Sequence, residues 1–273
     1  MQNTSSTFNN KVAIVTGGTQ GLDAEIALLL AKRGAQALVI CGRNQDNGLV
    51  QAQKIMHETS VSVHFVQADL ASVEDCRRVV AEADSRFGKI DILVNAAGIT
   101  DRGNILDTSP ELFDRLFAVN VRAPFFLMQE VVKVMRHKSI EGCIVNIGSM
   151  SAMAGQPFLA AYCASKGALA TLTRNTAYAL LRNRIRVNGL NIGWMASDGE
   201  DRIQRDFHHA DDDWLTKAAA QQPFERLISP QEVARSVAYL CSEESGLMTG
   251  SIIEFDQSVW GAYDASPHPV APL

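Results

Sequence analysis

The feature that most constrains the fold is a regular alternation of short apolar segments with helix-like segments. The apolar segments are rich in β-branched residues and indicate buried strands: KVAIVTGG (11–18), ALVICG (37–42), VSVHFVQAD (61–69), KIDILVNAAG (89–98), GCIVNIGS (142–149), RIRVNGLNIG (184–193) and SIIEFD (251–256). Strands that are apolar along their whole length are typical of a parallel sheet covered by helices on both faces. We therefore predict an α/β fold with a doubly wound parallel sheet of about seven strands.

Helix boundaries between these strands are marked by capping residues. Ser72 and Gly88 stand at the two ends of one helix-like segment, and Ser229, Pro230 and Glu232 form the pattern of a capping box. No repeat or low-complexity linker divides the chain. The sequence therefore predicts one Rossmann-like domain over 1–273, flanked by helices on both faces, with a tail from about residue 258.

Composition excludes several classes of function. The chain has 30 acidic and 25 basic residues and a net charge of −5, whereas nucleic-acid binding needs a clustered basic surface. The opening MQNTSSTFNNK is polar, and the apolar run IALLLA (26–31) is too short to cross a bilayer. We expect no nucleic-acid partner, no membrane partner and a cytoplasmic location. Five scattered cysteines without CxxC spacing predict reduced thiols and no structural zinc.

The segment TGGTQGLD (16–23) lies between the first predicted strand and the first predicted helix. Gly17, Gly18 and Gly21 permit positive φ and let a phosphate approach the N–H groups at the positive end of the helix. This context predicts a nucleotide pyrophosphate site. Asp23 would complement the helix dipole, but its charge would repel a pyrophosphate by about 1–3 kcal/mol, roughly ten- to hundred-fold in affinity. We expect a working but weakened site.

The end of the second predicted strand bears on the choice of dinucleotide. An acid at this place binds the ribose hydroxyls of NAD, but the residues here are Cys41, Gly42, Arg43 and Asn44. The guanidinium of Arg43 suits a 2′-phosphate, so NADP(H) is favoured and NAD(H) is the alternative. A solvated surface arginine would give the same sequence.

Three polar residues form a candidate catalytic group. Tyr162 and Lys166 are four residues apart at the start of a predicted helix, so both side chains project from one face. A nearby ammonium favours the phenolate, so Lys166 is expected to lower the pKa of Tyr162 and make it a usable acid or base. Ser149 ends a predicted strand at the carboxyl edge of the sheet, where open α/β folds bind ligands.

With these residues the chain resembles the short-chain dehydrogenase/reductase family over about residues 9–258. The matching motifs are TGGTQG (16–21), NAAG (95–98), Asn120 in VNV, Ser149 in NIGS, and YCASK (162–166). The resemblance implies an oxidoreductase that exchanges hydride between a nicotinamide cofactor and a carbonyl/alcohol pair. It implies that Tyr162 is the general acid/base and that Ser149 binds the substrate oxygen. Lys166 would also hold the nicotinamide ribose, and Asn120 would anchor a water of the proton relay.

The same resemblance implies the wider cofactor site. Its expected members, besides Arg43, Tyr162 and Lys166, are Gly17, Thr19, Gln20, Gly21, Leu22, Asp69, Leu70, Asn95, Gly98, Gly193, Met195 and Ser197. Three departures from the family pattern stand out. Asp23 stands in the place of the family's third glycine. Ile192 stands in the place of a proline, and Ser197, a few residues later, in the place of a threonine. The segment DQSVWG (256–261) stands in the place of a glycine pair.

The substrate loop is expected at about 194–227. Its segment SDGEDRIQRDFHHADDDW (197–214) is unusually polar for a lid over a lipid or steroid. Arg202, Arg205, His208 and His209 are candidates for binding hydroxyls or a carboxylate, and Ser149, Ser151, Trp194 and Arg202 are the predicted substrate contacts. We expect a small polar substrate, namely a sugar, polyol or sugar acid. Consecutive His and Asp residues do not converge easily on one ion, so no metal is expected.

Two other functions remain open from the sequence. A 3-oxoacyl-thioester reductase would need an apolar channel, against which the acidic loop argues. A nucleotide-sensing binding protein without catalysis is suggested by Asp23, but the complete set of catalytic residues argues against it.

The tail WGAYDASPHPVAPL (260–273) carries Trp260 and Tyr263, aromatic side chains that need a covering surface. With the family resemblance, this predicts a homotetramer.

Overall fold

The computed structural model describes residues 7–153 and 155–260. Its seven strands form one parallel sheet in the order β3-β2-β1-β4-β5-β6-β7. The strands are β1 (Val12–Thr16), β2 (Ala37–Gly42), β3 (Ser62–Gln67), β4 (Ile92–Asn95), β5 (Cys143–Ser149), β6 (Arg186–Ile192) and β7 (Ile252–Phe255). The predicted fold class is confirmed, and every strand lies within its predicted segment.

Helices cover both faces of the sheet. They are α1 (Gly21–Lys32), α2 (Gln45–Thr59), α3 (Val73–Phe87), α4 (Pro110–Phe117), α5 (Ala123–His137), α6 (Ala160–Leu180), α7 (Asp198–His208), α8 (Trp214–Ala220) and α9 (Pro230–Cys241). Within β1, Ala13 and Val15 pack with α1, α2 and α9, whereas Ile14 packs with α3, α5 and α6. This alternation explains why the strands are apolar at every position.

The predicted capping interactions are present at both helices concerned, α3 and α9. The Ser72 hydroxyl accepts a hydrogen bond from the Asp75 N–H at 3.2 Å, and Gly88 ends α3 with φ +75°. Ser229 and Glu232 form the reciprocal capping box at the start of α9. These local contacts set where each helix begins, and therefore where the loops at the carboxyl edge of the sheet emerge.

The strand order places a cleft at that edge. The chain winds one way from β1 through β3 and the other way from β4 through β7, so the loops after β1 and β4 diverge. Ligands of open α/β folds bind where the order reverses in this way. The loop after β6 contributes α7 and α8, whose attachment includes stacking of Trp194 on Trp214 with ring centroids 6.4 Å apart. Among the described residues, no helix is long and apolar enough to cross a membrane.

Candidate active site

Ser149, Tyr162 and Lys166 meet at the carboxyl edge of the sheet and are all buried. Ser149 is the last residue of β5, and the other two lie in the first turns of α6. The Lys166 Nζ lies 5.8 Å from the centroid of the Tyr162 ring and donates a hydrogen bond of 2.9 Å to the Ile147 carbonyl. The structure therefore brings together on one wall of the cleft the three side chains that sequence spacing predicted.

Asn120 lies behind this wall in a π-helical turn, Ala118–Arg122, between α4 and α5. Its amide donates to the Ile99 carbonyl at 3.0 Å and to the Ser165 hydroxyl at 3.1 Å, and its Oδ1 accepts from the Ile99 N–H at 3.0 Å. The side chain is thus engaged in joining the loop after β4 to α6. Single π-helical turns of this kind occur frequently at functional sites.

The pKa of Tyr162 differs from the prediction. Burial raises the pKa of the phenol to about 12, the Ser149 hydroxyl and the charge of Arg102 oppose this rise, and the charge of Glu200 adds to it. The pKa therefore rises instead of falling as predicted, because desolvation of the phenolate is the largest contribution to the shift. Tyr162 is therefore a protonated phenol at neutral pH.

The glycine turn has the backbone that the sequence predicted. Gly17, Gly18 and Gly21 have φ values of +79°, +70° and +55°, in the left-handed region. The α1 helix begins at Gly21, so its first N–H groups face the cleft edge, as a pyrophosphate site needs. A nicotinamide dinucleotide fits this chemistry, with one negatively charged neighbour in Asp23.

The Asp23 carboxylate packs against the glycine turn and interacts electrostatically with Lys166. A β-carbon placed on Gly17 would overlap the Asp23 carboxylate. Burial raises the pKa of Asp23 to about 7, and the Lys166 ammonium opposes that rise. Burial also lowers the pKa of Lys166 to about 8, with Asp23 opposing. The third-glycine replacement therefore places a titratable acid against the glycine turn, where it interacts electrostatically with Lys166.

The residues expected around the adenosine half lie at the ends of β2 and β3. Arg43 directly follows β2 and is exposed, and its guanidinium has no hydrogen-bond or ion-pair partner within residues 7–153 and 155–260. Asp69 is exposed and accepts from the Ala71 N–H at 3.0 Å, whereas Leu70 is buried. A free guanidinium at this position is compatible with a 2′-phosphate.

The segment expected to form the substrate loop is attached at the cleft by polar contacts. Trp194 Nε1 donates to Glu200 Oε1 at 2.8 Å, and Arg202 Nη2 donates to Gln20 Oε1 at 3.4 Å. The second contact joins α7 to the glycine turn. Ser197 caps α7 by accepting from the Glu200 N–H at 3.1 Å. The hydroxyl expected to contact cofactor therefore has a helix-capping role in this structure.

A cavity of about 860 Å³ extends from the glycine turn to the substrate loop. Its lining includes thirteen of the predicted site residues: Gln20, Gly21, Leu22, Gly98, Ser149, Ser151, Tyr162, Lys166, Gly193, Trp194, Met195, Ser197 and Arg202. The other predicted residues, Gly17, Thr19, Arg43, Asp69, Leu70, Asn95 and Asn120, lie outside this lining. Asn95 is buried, and its amide donates to Asn146 Oδ1 at 2.8 Å, which links β4 to β5.

Sequence reasoning missed four charged residues of the cavity lining: the cation Arg102 and the acids Asp198, Glu200 and Asp256. Arg102 lies in the loop between β4 and α4 and lines the cavity together with His208 of α7. Of the other loop candidates, Arg205 is ion-paired with Asp201 and Asp212 and, like His209, does not line the cavity. No motif or spacing marks Arg102, because its neighbours in space are distant in sequence.

Fold and site together define a nicotinamide-dependent oxidoreductase with a doubly wound sheet. A family model described as enoyl-(acyl carrier protein) reductase, one of the short-chain dehydrogenases/reductases, matches residues 17–258. The chain belongs to the short-chain dehydrogenase/reductase family. It is an NAD(P)-dependent dehydrogenase/reductase, as that family binds nicotinamide cofactors.

Several characterised proteins are similar over nearly the whole chain. Tetrahydroxynaphthalene reductase of Pyricularia oryzae is 31% identical over 92% of this chain and 90% of its own length. Galactitol 2-dehydrogenase of Agrobacterium fabrum is 30% identical, covering 93% of this chain and 98% of that protein. L-Sorbose reductase of Gluconobacter frateurii, solved with NADPH and L-sorbose, has a TM-score of 0.89 and 27% identity, with 95% of this chain and 100% of that chain covered.

Proposed function

We propose that the enzyme transfers hydride between NADP(H) and the carbonyl or secondary alcohol of a small polar substrate: a sugar, a polyol or a sugar acid. The observation that carries this proposal is the lining of the cavity beyond Tyr162. Besides the catalytic group it presents Ser151, Gln156, Glu200, Arg202 and His208. Such a wall can offer hydrogen bonds to several hydroxyl groups, whereas an acyl chain would desolvate these polar groups and offer them no hydrogen bond in return.

The proposed roles follow from where the groups lie. In the direction of reduction, the Tyr162 hydroxyl donates its proton to the carbonyl oxygen, which the Ser149 hydroxyl also binds. An alkoxide is a stronger base than a phenolate, so a phenol with a pKa of about 12 can still make this transfer. Lys166 uses one of its three donors on Ile147 and has two left for a ribose. The nicotinamide, when bound, supplies or accepts the hydride.

The preference for NADP(H) is supported by Arg43. Its guanidinium lies beside the end of β2 and has no partner in the described chain. The position at the end of this strand where an NAD site carries an acidic residue has none here. The similar L-sorbose reductase was solved as a complex with NADPH, which agrees with this preference.

We also propose that the protein is cytoplasmic and that it assembles as a homotetramer through contacts that include its tail. Trp260 is part of the cavity lining, and Tyr263 lies outside the described residues.

A substrate panel tests the proposal. Galactitol, sorbitol, L-sorbose and aldonates would be compared with an aromatic ketone and a 3-oxoacyl thioester, each with NADP(H) and NAD(H), by nicotinamide absorbance. We expect the highest kcat/KM with a polyol, a ketose or an aldonate and with NADP(H). Selective turnover of the aromatic ketone or the thioester would overturn the polar substrate class. Cofactor binding without turnover of any substrate would favour a sensing protein.

A further inference from the structure

Arg102 is a cation whose hydrogen-bonding capacity is only partly used. Its Nη1 donates to the Thr100 carbonyl at 2.8 Å, and its Nη2 lies 3.3 Å from His208 Nε2. An arginine only donates, so the second contact is a hydrogen bond when His208 Nε2 carries no proton. The Arg102 Nε is buried and has no hydrogen-bond partner among the described residues. Since a guanidinium has five N–H donors, three of them lack an acceptor in this part of the chain.

The charge of Arg102 also lacks a counter-ion. Within the part of the chain that the structure describes, no carboxylate lies within ion-pairing distance of it, whereas Arg205 of α7 contacts two. Its guanidinium lies 5.6 Å from the Phe158 ring centroid and 5.9 Å from that of Phe207, so aromatic faces surround it. A partly buried cation with unused donors is costly unless an anion completes its surroundings.

The location of Arg102 shows where such an anion would lie. Arg102, His208, Ser149 and Tyr162 line the same cavity. The charge of Arg102 acts on the phenol, since it lowers the pKa of Tyr162. The nearby Glu200 is engaged with neutral donors, Trp194 Nε1 at 2.8 Å and Gln204 Nε2 at 2.7 Å, and does not neutralise Arg102. An anionic group bound there would belong to the molecule that reacts at Tyr162.

We propose that Arg102, supported by His208, binds a substrate carboxylate, so that the enzyme acts on a hydroxy or keto acid of the sugar-acid type. This inference rests on the proposed function and narrows its substrate class. In the oxidation, the secondary alcohol carbon gives its hydride to NADP⁺ and its hydroxyl gives its proton to the Tyr162 phenolate, which leaves a ketone and NADPH. The carboxylate is unchanged, and its role is to orient the reacting carbon. A planar guanidinium suits that role because it can donate two parallel hydrogen bonds.

The test compares substrates that differ only in the carboxylate. D-Gluconate and sorbitol, and D-galactonate and galactitol, are pairs in which a carboxylate replaces a CH₂OH group. For the wild type we expect a higher kcat/KM with the acid of at least one pair. Arg102→Gln should raise KM for the acid by about 10- to 100-fold and leave KM for the polyol within about threefold. Arg102→Lys should reverse part of this rise, and Arg205→Gln serves as the matched control without effect.

A binding measurement separates recognition from catalysis. In Tyr162→Phe with NADPH bound, titration with gluconate by calorimetry should give a Kd about 10- to 100-fold weaker after Arg102→Gln is added. His208→Gln should weaken the same Kd by a smaller factor. Melting temperatures show whether Arg102→Gln is misfolded. If it is, the gluconate affinities of Arg102→Lys and His208→Gln test the carboxylate site instead.

The outcomes distinguish this inference from the proposed function. A wild type that prefers the polyol in both pairs, or an Arg102→Gln variant in which KM for the acid and KM for the polyol rise equally, would overturn the carboxylate site and leave the polar substrate class standing. Failure of both acids and polyols, with turnover of an aromatic ketone or a thioester, would overturn both.

Discussion

The Asp23 carboxylate occupies the space above the Cα of Gly17, so the first glycine of the turn and the residue in place of the third are packed against each other. Any side chain at position 17 would collide with Asp23. The contact holds the carboxylate beside the pyrophosphate turn while the Lys166 ammonium attracts it. Cofactor affinity should therefore depend on the charge at position 23.

Replacing this carboxylate should tighten cofactor binding. Asp23→Asn removes the charge while keeping the shape, and Asp23→Gly restores the family residue. Either should strengthen NADP(H) binding by about tenfold, because repulsion in a partly buried cleft is worth about 1–3 kcal/mol, and added salt should shrink the gain. Titration by cofactor fluorescence measures this, with Glu25→Gln in the same helix as the control. Equal or weaker binding in both Asp23 variants would contradict the prediction.

The same carboxylate should make cofactor binding depend on pH. The pKa of Asp23 is raised to about 7, so the group is mostly neutral below that pH and charged above it. Wild-type affinity for NADP(H) should fall as pH rises from 6 to 8. Asp23→Asn should show a smaller fall across this window. Parallel pH profiles for the two proteins would rule out titration of Asp23 as the cause.

Folding stability should change with pH for the same reason. The unfolded carboxyl titrates near 3.8 and the folded one near 7, so the folded state binds the extra proton between these values. The free energy of unfolding should fall as pH rises from about 4 to 7, by an amount on the order of 1–3 kcal/mol. Lys166, with its pKa lowered to about 8, is protonated in both states through that window. Denaturant melts of wild type and Asp23→Asn should diverge toward pH 7, and a constant difference would contradict this.

Tyr162→Phe should abolish turnover and preserve cofactor binding. The variant removes the proton donor, which is worth about 10²–10⁴ in kcat, and leaves the ring packed where it is. Tyr178→Phe, on an exposed position of the same helix, is the control. Turnover near the wild-type level in Tyr162→Phe would exclude the phenol from the mechanism. Because the pKa of Tyr162 is raised to about 12, oxidation by the wild type should also rise with pH up to the alkaline limit of stability.

Arg43→Ala should erode the preference for NADP(H). A charge-assisted contact to a 2′-phosphate is worth about 1.5–3 kcal/mol, so kcat/KM with NADP(H) should fall by about 10- to 100-fold while that with NAD(H) stays constant. Arg182→Ala, in the turn between α6 and β6, is the control. A wild type that prefers NAD(H), together with an unaffected Arg43→Ala, would mean that this arginine is only solvated.

The tail can be tested by truncation. Removing residues from Val259 onward eliminates Trp260, which lines the cavity, and should lower activity or oligomer order. A truncation that keeps residues up to 261 is the matched control for the aromatic contact. Light scattering and the absorbance assay give both readouts. An unchanged mass and an unchanged rate in the shorter protein would make Trp260 dispensable.

The sequence by itself determined the fold and brought together the proposed catalytic residues. Apolar strands, serine caps and glycine stops act over a few residues, so β5, α3 and α9 begin and end close to where the pattern predicted. Tyr162 and Lys166 share a helix face because α-helical geometry places residues four apart together. Ser149 joins them because parallel strands end at one edge of the sheet.

Only the tertiary structure decided the pKa values and the electrostatic neighbours of the residues in the cleft. The pKa of Tyr162 rises because desolvation outweighs the Ser149 hydrogen bond and the charge of Arg102, and burial cannot be deduced from the spacing of two residues. Asp23 turns toward Gly17 and Lys166, although its position in a first helical turn equally suited an outward side chain. Arg102 meets His208 across 106 positions of the chain, and only the packing of α7 over the cleft brings the two together. Electrostatic energies depend on such long-range proximity and on solvent exclusion, which only the folded chain supplies.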